Sequence, residues 1–194
     1  MSSMHFHTHS ELAGRHSFLS ASKYHWINYD AEKMSRVFVS ELAKQRGTEL
    51  HEYASTAIRL GRRQPKNNET VNKYINDALG FRMTPELILF YSLNAFGTAD
   101  TISFRLDPKT GIWVLRIHDL KTGVTPTSMH QLEIYAAYFC LEYGFKPAEI
   151  EIHLRIYQND EVNEYDPDPM DITNIMDKIV TFDKLLDALR EEEF

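Results

Sequence analysis

The stretch Gly97-Thr98-Ala99-Asp100-Thr101-Ile102-Ser103-Phe104-Arg105-Leu106-Asp107-Pro108-Lys109-Thr110-Gly111-Ile112-Trp113-Val114-Leu115-Arg116-Ile117-His118-Asp119-Leu120-Lys121-Thr122-Gly123 carries the reading that decides the fold. From Thr98 to Leu106 the residues alternate. Asp100, Ile102, Phe104 and Leu106 point one way, and Thr101, Ser103 and Arg105 the other, which is the period of a half-buried strand. Asp107-Pro108-Lys109-Thr110-Gly111 has turn chemistry. The alternation resumes from Ile112, with Trp113, Leu115, Ile117, Asp119 and Lys121 on one face. The stretch is therefore a β-hairpin.

A turn centred on Lys109–Thr110 sets Asp100 directly opposite Asp119. Opposed Cβ atoms lie about 4.5–5.5 Å apart, and like charges there are destabilising. The expectation is a cation held between the two carboxylates, with Mg²⁺ or Mn²⁺ favoured by the hard oxygen donors. Lys121 lies one step on along the same face, where an ammonium orients a water or stabilises charge on a phosphate. Two acids and a lysine at one end of a hairpin suit metal-assisted phosphodiester hydrolysis. The competing reading is a solvated rim of paired charges.

Composition narrows the field. The chain has 194 residues, 43% hydrophobic and 25% charged, which is ordinary for a globular domain with a sizeable core. Its one cysteine, Cys140, leaves no internal disulfide and no multi-thiolate cluster. No apolar run reaches the ~20 residues of a membrane span, and Met1 opens no basic-then-apolar leader, so no membrane association and a cytoplasmic location are expected. The net charge of −7 argues against a nonspecific nucleic-acid coat protein but permits a local basic groove.

Residues 1–15 read as a mobile N-terminal segment, in which His5, His7 and His9 alternate, and residues 16–194 as a single domain with a helical extension from about 169. Ser20 or Ser22 caps a short segment leading to Trp26. Met34 to about Leu60 is a helix, with Val37, Phe38, Leu42, Leu50, Ala54, Ala57 and Ile58 at three- and four-residue intervals. Within it Gly47 and His51 stack on one face. A helical glycine costs about 1 kcal/mol relative to alanine, so something approaches closely there. Arg59, Arg62, Arg63 and Lys66 form the densest basic cluster, a candidate for phosphate contacts.

Glu69 to Leu79 is a second, short helix, and Glu86 to Leu93 is apolar enough for a buried strand beside the hairpin. Met129 to Tyr143 is helical, with Leu132, Ala136, Phe139, Cys140 and Tyr143 towards the core and Gln131 and Tyr135 four apart on another stripe. Glu149 to Tyr157 alternates as a strand. A last helical region carries Ile172, Ile175, Ile179, Leu185, Leu186 and Leu189. There is no internal repeat and no Walker or dinucleotide glycine motif.

The order helix, three strands, helix, strand, with Gly47…His51, Gly97-Thr98-Ala99-Asp100, Asp119-Leu120-Lys121 and Gln131…Tyr135, resembles the PD-(D/E)XK nuclease superfamily. It is most similar to the RecB-type branch, over roughly Ser17 to Tyr157, and in its compactness to stand-alone phage or mobile-element nucleases. The resemblance implies an α/β, restriction-endonuclease-like core (αβββαβ, a mixed central sheet flanked by helices). It implies one or two Mg²⁺ or Mn²⁺ ions ligated by His51, Asp100, Asp119 and the carbonyl of Leu120. Lys121 would position or activate the attacking water, and Gln131 and Tyr135 would support the site or touch the DNA backbone.

The activity implied is hydrolysis of DNA phosphodiesters, foremost as an exonuclease on linear DNA in recombination, repair or phage DNA processing. The chain departs from the branch in lacking iron–sulfur cysteines. No helicase motif accompanies the nuclease, so unwinding would come from a partner helicase or recombination protein. The alternatives are a structure- or sequence-specific endonuclease, and a catalytically idle relative acting as a DNA-binding or anti-defence protein.

Overall fold

The computed structural model describes residues 17–193; the segment 1–15 and its histidines lie outside the described residues. The chain forms two compact units, one ending at Gln45 and the other running from Arg46. In the first, the Ser20 hydroxyl accepts the Ser22 amide at 3.3 Å and starts a 3₁₀ segment, Ala21–Asn28. The Trp26 indole N–H closes it on the Ser20 carbonyl at 2.9 Å. Asp30 then accepts the Lys33 amide at 2.7 Å and begins α1 (Ala31–Arg59). Val37, Phe38 and Leu42, part of the apolar stripe given by their period, remain exposed. Period alone marks an apolar stripe and does not supply a surface to cover it; here Phe38 meets Phe18 edge-on at 5.0 Å.

The second unit holds the rest of α1, then α2 (Thr70–Gly80), β1 (Thr84–Ser92), β2 (Ala95–Leu106), β3 (Trp113–Leu120), α3 (His130–Tyr143), β4 (Ile150–Gln158), β5 (Glu161–Tyr165) and α4 (Pro169–Glu193). It is an α/β fold: one open, mixed five-stranded sheet in the order β1-β2-β3-β4-β5, with helices on its faces. All neighbours are antiparallel except β3 and β4, whose parallel pairing needs the long return that α3 provides. Among the described residues no helix is long and apolar enough to cross a membrane.

The hairpin register is the one its alternation requires. Thr101 faces His118, Ile102 faces Ile117, Phe104 faces Leu115 and Leu106 faces Trp113. Continued one step, the same register brings Asp100 level with Asp119. Phe104 stacks on Trp113 with ring centroids 4.7 Å apart. On the face carrying Leu115, Ile117, Ile152 and Leu154, the sheet packs against Leu132, Ala136 and Cys140 of α3 and Ile172 of α4. A second core joins Ala54, Ala57 and Ile58 of α1 and Tyr74, Ile75 and Ala78 of α2 to Leu120 and Tyr157.

Two expectations need correction, and one strand is additional. The stretch read as a buried strand is β1, an edge strand with Ile88 and Phe90 exposed and Leu89 alone fully buried. Glu142 of α3 accepts the Phe90 amide at 2.8 Å and so occupies one of its edge donors. Tyr143, expected to face the core, is exposed at the end of α3; in α4, Ile172 is buried while Leu185, Leu186 and Leu189 at the far end of the apolar stripe are exposed. Strand β5 was not foreseen. It returns from β4 through Asn159-Asp160, both at positive φ, the two-residue hairpin turn for which Asn and Asp are suited.

Candidate functional site

The C-terminal end of β3 is where the chain's chemistry gathers. Alternation along β3 sends Asp119 to the α3 face and His118 to the other, and the Lys121 amide bonds the Tyr157 carbonyl at 2.9 Å, extending the strand by one residue. The Asp119 side chain is only 2% exposed. Its Oδ2 lies 3.0 Å from Lys121 Nζ as an ion pair, off the hydrogen-bonding direction, so this buried oxygen accepts no hydrogen bond. Burial foremost, then the charge of Asp100, pushes the Asp119 carboxyl up to about 6 against the pull of Lys121 and His51.

Asp100 sits beside it. Its Oδ2 accepts the Leu120 amide at 3.0 Å and lies 3.3 Å from His51 Nδ1. That bond raises the His51 pKa, burial opposes it, and the charges of Asp100, Asp119 and Glu86 add to the rise. Lys121 Nζ donates to Gln131 Oε1 at 2.8 Å, and Gln131 Nε2 donates to the Tyr135 hydroxyl at 3.0 Å. His51, Asp100, Asp119, Lys121, Gln131 and Tyr135, spread over four elements, thus form one connected array.

Two glycines make the array possible. A Cβ on Gly47 would meet Thr122 Oγ1 at 2.6 Å, so α1 can pass directly beneath the residue that follows Lys121. A Cβ on Gly97 would meet Tyr135 Cε1 at 2.9 Å, so the tyrosine ring lies flush on β2. Both close approaches converge on Lys121, one through its backbone neighbour and one through Gln131. Gly97→Ala is expected to displace Tyr135 and break its hydrogen bond with Gln131, shifting the Tyr135 ring resonances at little cost in melting temperature. Unchanged Tyr135 resonances in that variant would show that the ring does not rest on Gly97.

Each carboxylate has its own nitrogen base, Lys121 for Asp119 and His51 for Asp100. Among the described residues no three His, Cys, Asp or Glu side chains are drawn together into a ready metal cluster. The donor set nevertheless suits a hard divalent ion: two carboxylates, an imidazole, and a buried carboxylate oxygen without a hydrogen bond.

One residue escaped the sequence reading. Pro85 faces Thr101 and Leu87 faces Ala99, so Glu86 stands level with Asp100. Glu86, Asp100 and Asp119 make a row of three acids across β1, β2 and β3. Glu86 has φ 54, a left-handed conformation unusual for a non-glycine residue within a strand. Its pKa is raised by burial and by Asp100, and lowered by His51 and Arg59. Nothing local in Thr84-Pro85-Glu86 marks it, because the signal is a register between strands.

Arg59, Arg62, Arg63 and Lys66 are exposed at the end of α1 and in the following loop. Asn76 of α2 accepts the Gln64 amide at 2.9 Å and donates to the Gln64 carbonyl at 3.1 Å, pinning that loop. Arg59 is near enough for its charge to act on Glu86; Arg62, Arg63 and Lys66 stand outside the connected array.

Beneath the site, His118 is fully buried on the other face of the sheet. The Tyr157 hydroxyl donates to Asp77 Oδ2 at 2.7 Å and lies 3.3 Å from His118 Nδ1. The hydroxyl proton is spent on Asp77, so Nδ1 carries the imidazole proton and Nε2 is left bare and unpartnered.

No protein-family model matches the chain, and no curated protein or solved structure is significantly similar to it.

Proposed function

We propose that the chain is a Mg²⁺- or Mn²⁺-dependent deoxyribonuclease with a restriction-endonuclease-like core, acting first as an exonuclease on linear DNA. The observation behind this reading is the meeting of two carboxylates at the end of β3, Asp100 bonded to the Leu120 amide and the buried Asp119 3.0 Å from Lys121 Nζ. His51, Asp100, Asp119 and the Leu120 carbonyl would hold one or two ions. Such an ion, once bound there, would supply polarisation of the phosphate and a water of lowered pKa.

The chain's own side chains do the rest. Lys121, held in place by Gln131, carries a fixed positive charge to where a phosphorus centre develops negative charge. Asp100, fixed by the Leu120 amide, keeps its carboxylate at the mouth of the site. Arg59, Arg62, Arg63 and Lys66 neutralise phosphates of the incoming strand, with Arg59 next to the acid row. A partner helicase or recombination protein would supply any unwinding.

Digestion of linear and closed circular DNA with Mg²⁺, with Mn²⁺ and with EDTA tests the proposal. Metal-dependent loss of the linear form alone is the expected result. Cutting of circles would reassign the chain to the endonucleases. Intact DNA in every lane, with DNA still bound, would make it a binding protein with an idle site.

A further inference from the structure

A second group of cations lies at the closed end of the hairpin, away from the acid row. Arg82 from the α2–β1 connection, Arg105 of β2, Lys109 of the turn and Arg116 of β3 line one cavity of about 360 Å³. Arg105 faces Val114 and Ser103 faces Arg116, so both arginines belong to the sheet face opposite Phe104, Leu115 and Asp119. Along β2, Arg105 is five residues from Asp100, about 17 Å.

This gathering is unusual in a chain of net charge −7. Among the described residues, none of the four has a carboxylate at ion-pair distance. The one acid lining the cavity, Asp107, is engaged in the turn, where its Oδ1 accepts the Lys109 amide at 2.8 Å. Arg105 Nη2 donates to the Arg82 carbonyl at 3.3 Å, which keeps the two chains side by side.

Arg116 is the most constrained of the four. Its guanidinium lies 4.8 Å from the Phe81 ring centroid, and that of Arg155 lies 5.1 Å from the same ring. Arg155 is balanced by Asp77 at 3.5 Å and Glu164 at 3.2 Å. Arg116 has no such partner; Asp107 and Glu151 act on it only from a distance, and burial and Arg155 pull its pKa down. A half-buried, unbalanced guanidinium beside three more cations is relieved by an anion. Guanidinium forks approaching from several directions match the several oxygens of a phosphate better than a carboxylate, which one fork satisfies.

We infer that this cavity binds a phosphate group, separately from the acid row and whether or not that row is catalytic. The phosphate comes either from a nucleic-acid strand or from a free phosphate ion or monoester.

The test uses the full chain in EDTA. Calorimetry follows inorganic phosphate, and fluorescence anisotropy follows a labelled single-stranded oligonucleotide over a range of salt. The variant is Arg105→Gln/Lys109→Gln, both at exposed positions, with Arg62→Gln/Arg63→Gln as the comparison for the other basic cluster. A fivefold or greater loss of affinity for either ligand in the hairpin variant supports the inference. Loss for inorganic phosphate identifies the free ion. Loss for the oligonucleotide alone, with a salt slope smaller by about 0.7 for each contact removed, identifies the strand. Unchanged affinities for both ligands, or no binding of either by the wild-type chain, would overturn it.

Discussion

Asp119→Asn is expected to lower metal-dependent DNA cleavage on the order of 10³-fold while making the metal-free protein more stable at pH 7. Both effects have one cause. The carboxylate is almost wholly buried, its Oδ2 accepts no hydrogen bond, and Asp100 lies across from it. The fold therefore keeps a charge where it is unfavourable, and the ion pair with Lys121 offsets only part of the cost.

The folded-state pKa, about 6, stands above the ordinary 3.8. A raised pKa contributes stability in full below the unfolded value and loses it as pH climbs through about 6. Removing the charge should therefore stabilise the chain by up to about 3 kcal/mol at pH 7 and by almost nothing below pH 4. Urea unfolding at pH 7 and pH 4, beside a cleavage assay, reads both. An inactive variant that is also less stable at pH 7 would point to a structural role for Asp119. A fully active one would end the proposed chemistry.

His118→Phe should alter acid stability in the opposite sense. The imidazole is enclosed by Phe81, Tyr157 and the β2 strand, with ring centroids 5.6 Å and 5.4 Å from its two aromatic neighbours. Burial, then Arg155, Arg116 and His153, pushes it down to about 3. The unfolded chain takes up a proton near pH 6.5 that the folded chain refuses. Stability is therefore complete above 6.5 and falls as pH drops towards 3, by an amount of order 4 kcal/mol.

Phenylalanine keeps the ring packing and cannot be protonated. In the wild-type chain the His118 and Asp119 effects oppose each other between about pH 6.5 and 4. Relative to the wild-type chain, His118→Phe should gain stability as pH falls through that window, and Asp119→Asn should give up the advantage it holds at pH 7. Groups common to all three proteins cancel in the comparison. Identical pH slopes in the three would show that neither side chain titrates as its burial requires.

The hairpin and its register were legible in the sequence, because a period of two and a Pro–Gly turn are local properties that leave one antiparallel pairing for Asp100 and Asp119. Helices α1, α2 and α3 were legible for the same reason, and Lys121 and His51 were candidates from the faces they occupy, whereas Gln131 and Tyr135 became candidates only through the family resemblance. The edge position of β1, the exposure of Phe38 and Leu189, and strand β5 were not. Burial depends on which surface an apolar stripe meets, and no stripe encodes its partner.

The row of acids extended by Glu86 and the four cations at the hairpin's closed end also belong to the tertiary structure alone. Their members are separated by turns and strands, and only pairing across the sheet and the packing of its connections bring them together. Local periodicity determined which way each side chain points. Long-range packing decided what it faces, because charge and burial act through space between residues that the chain order keeps apart.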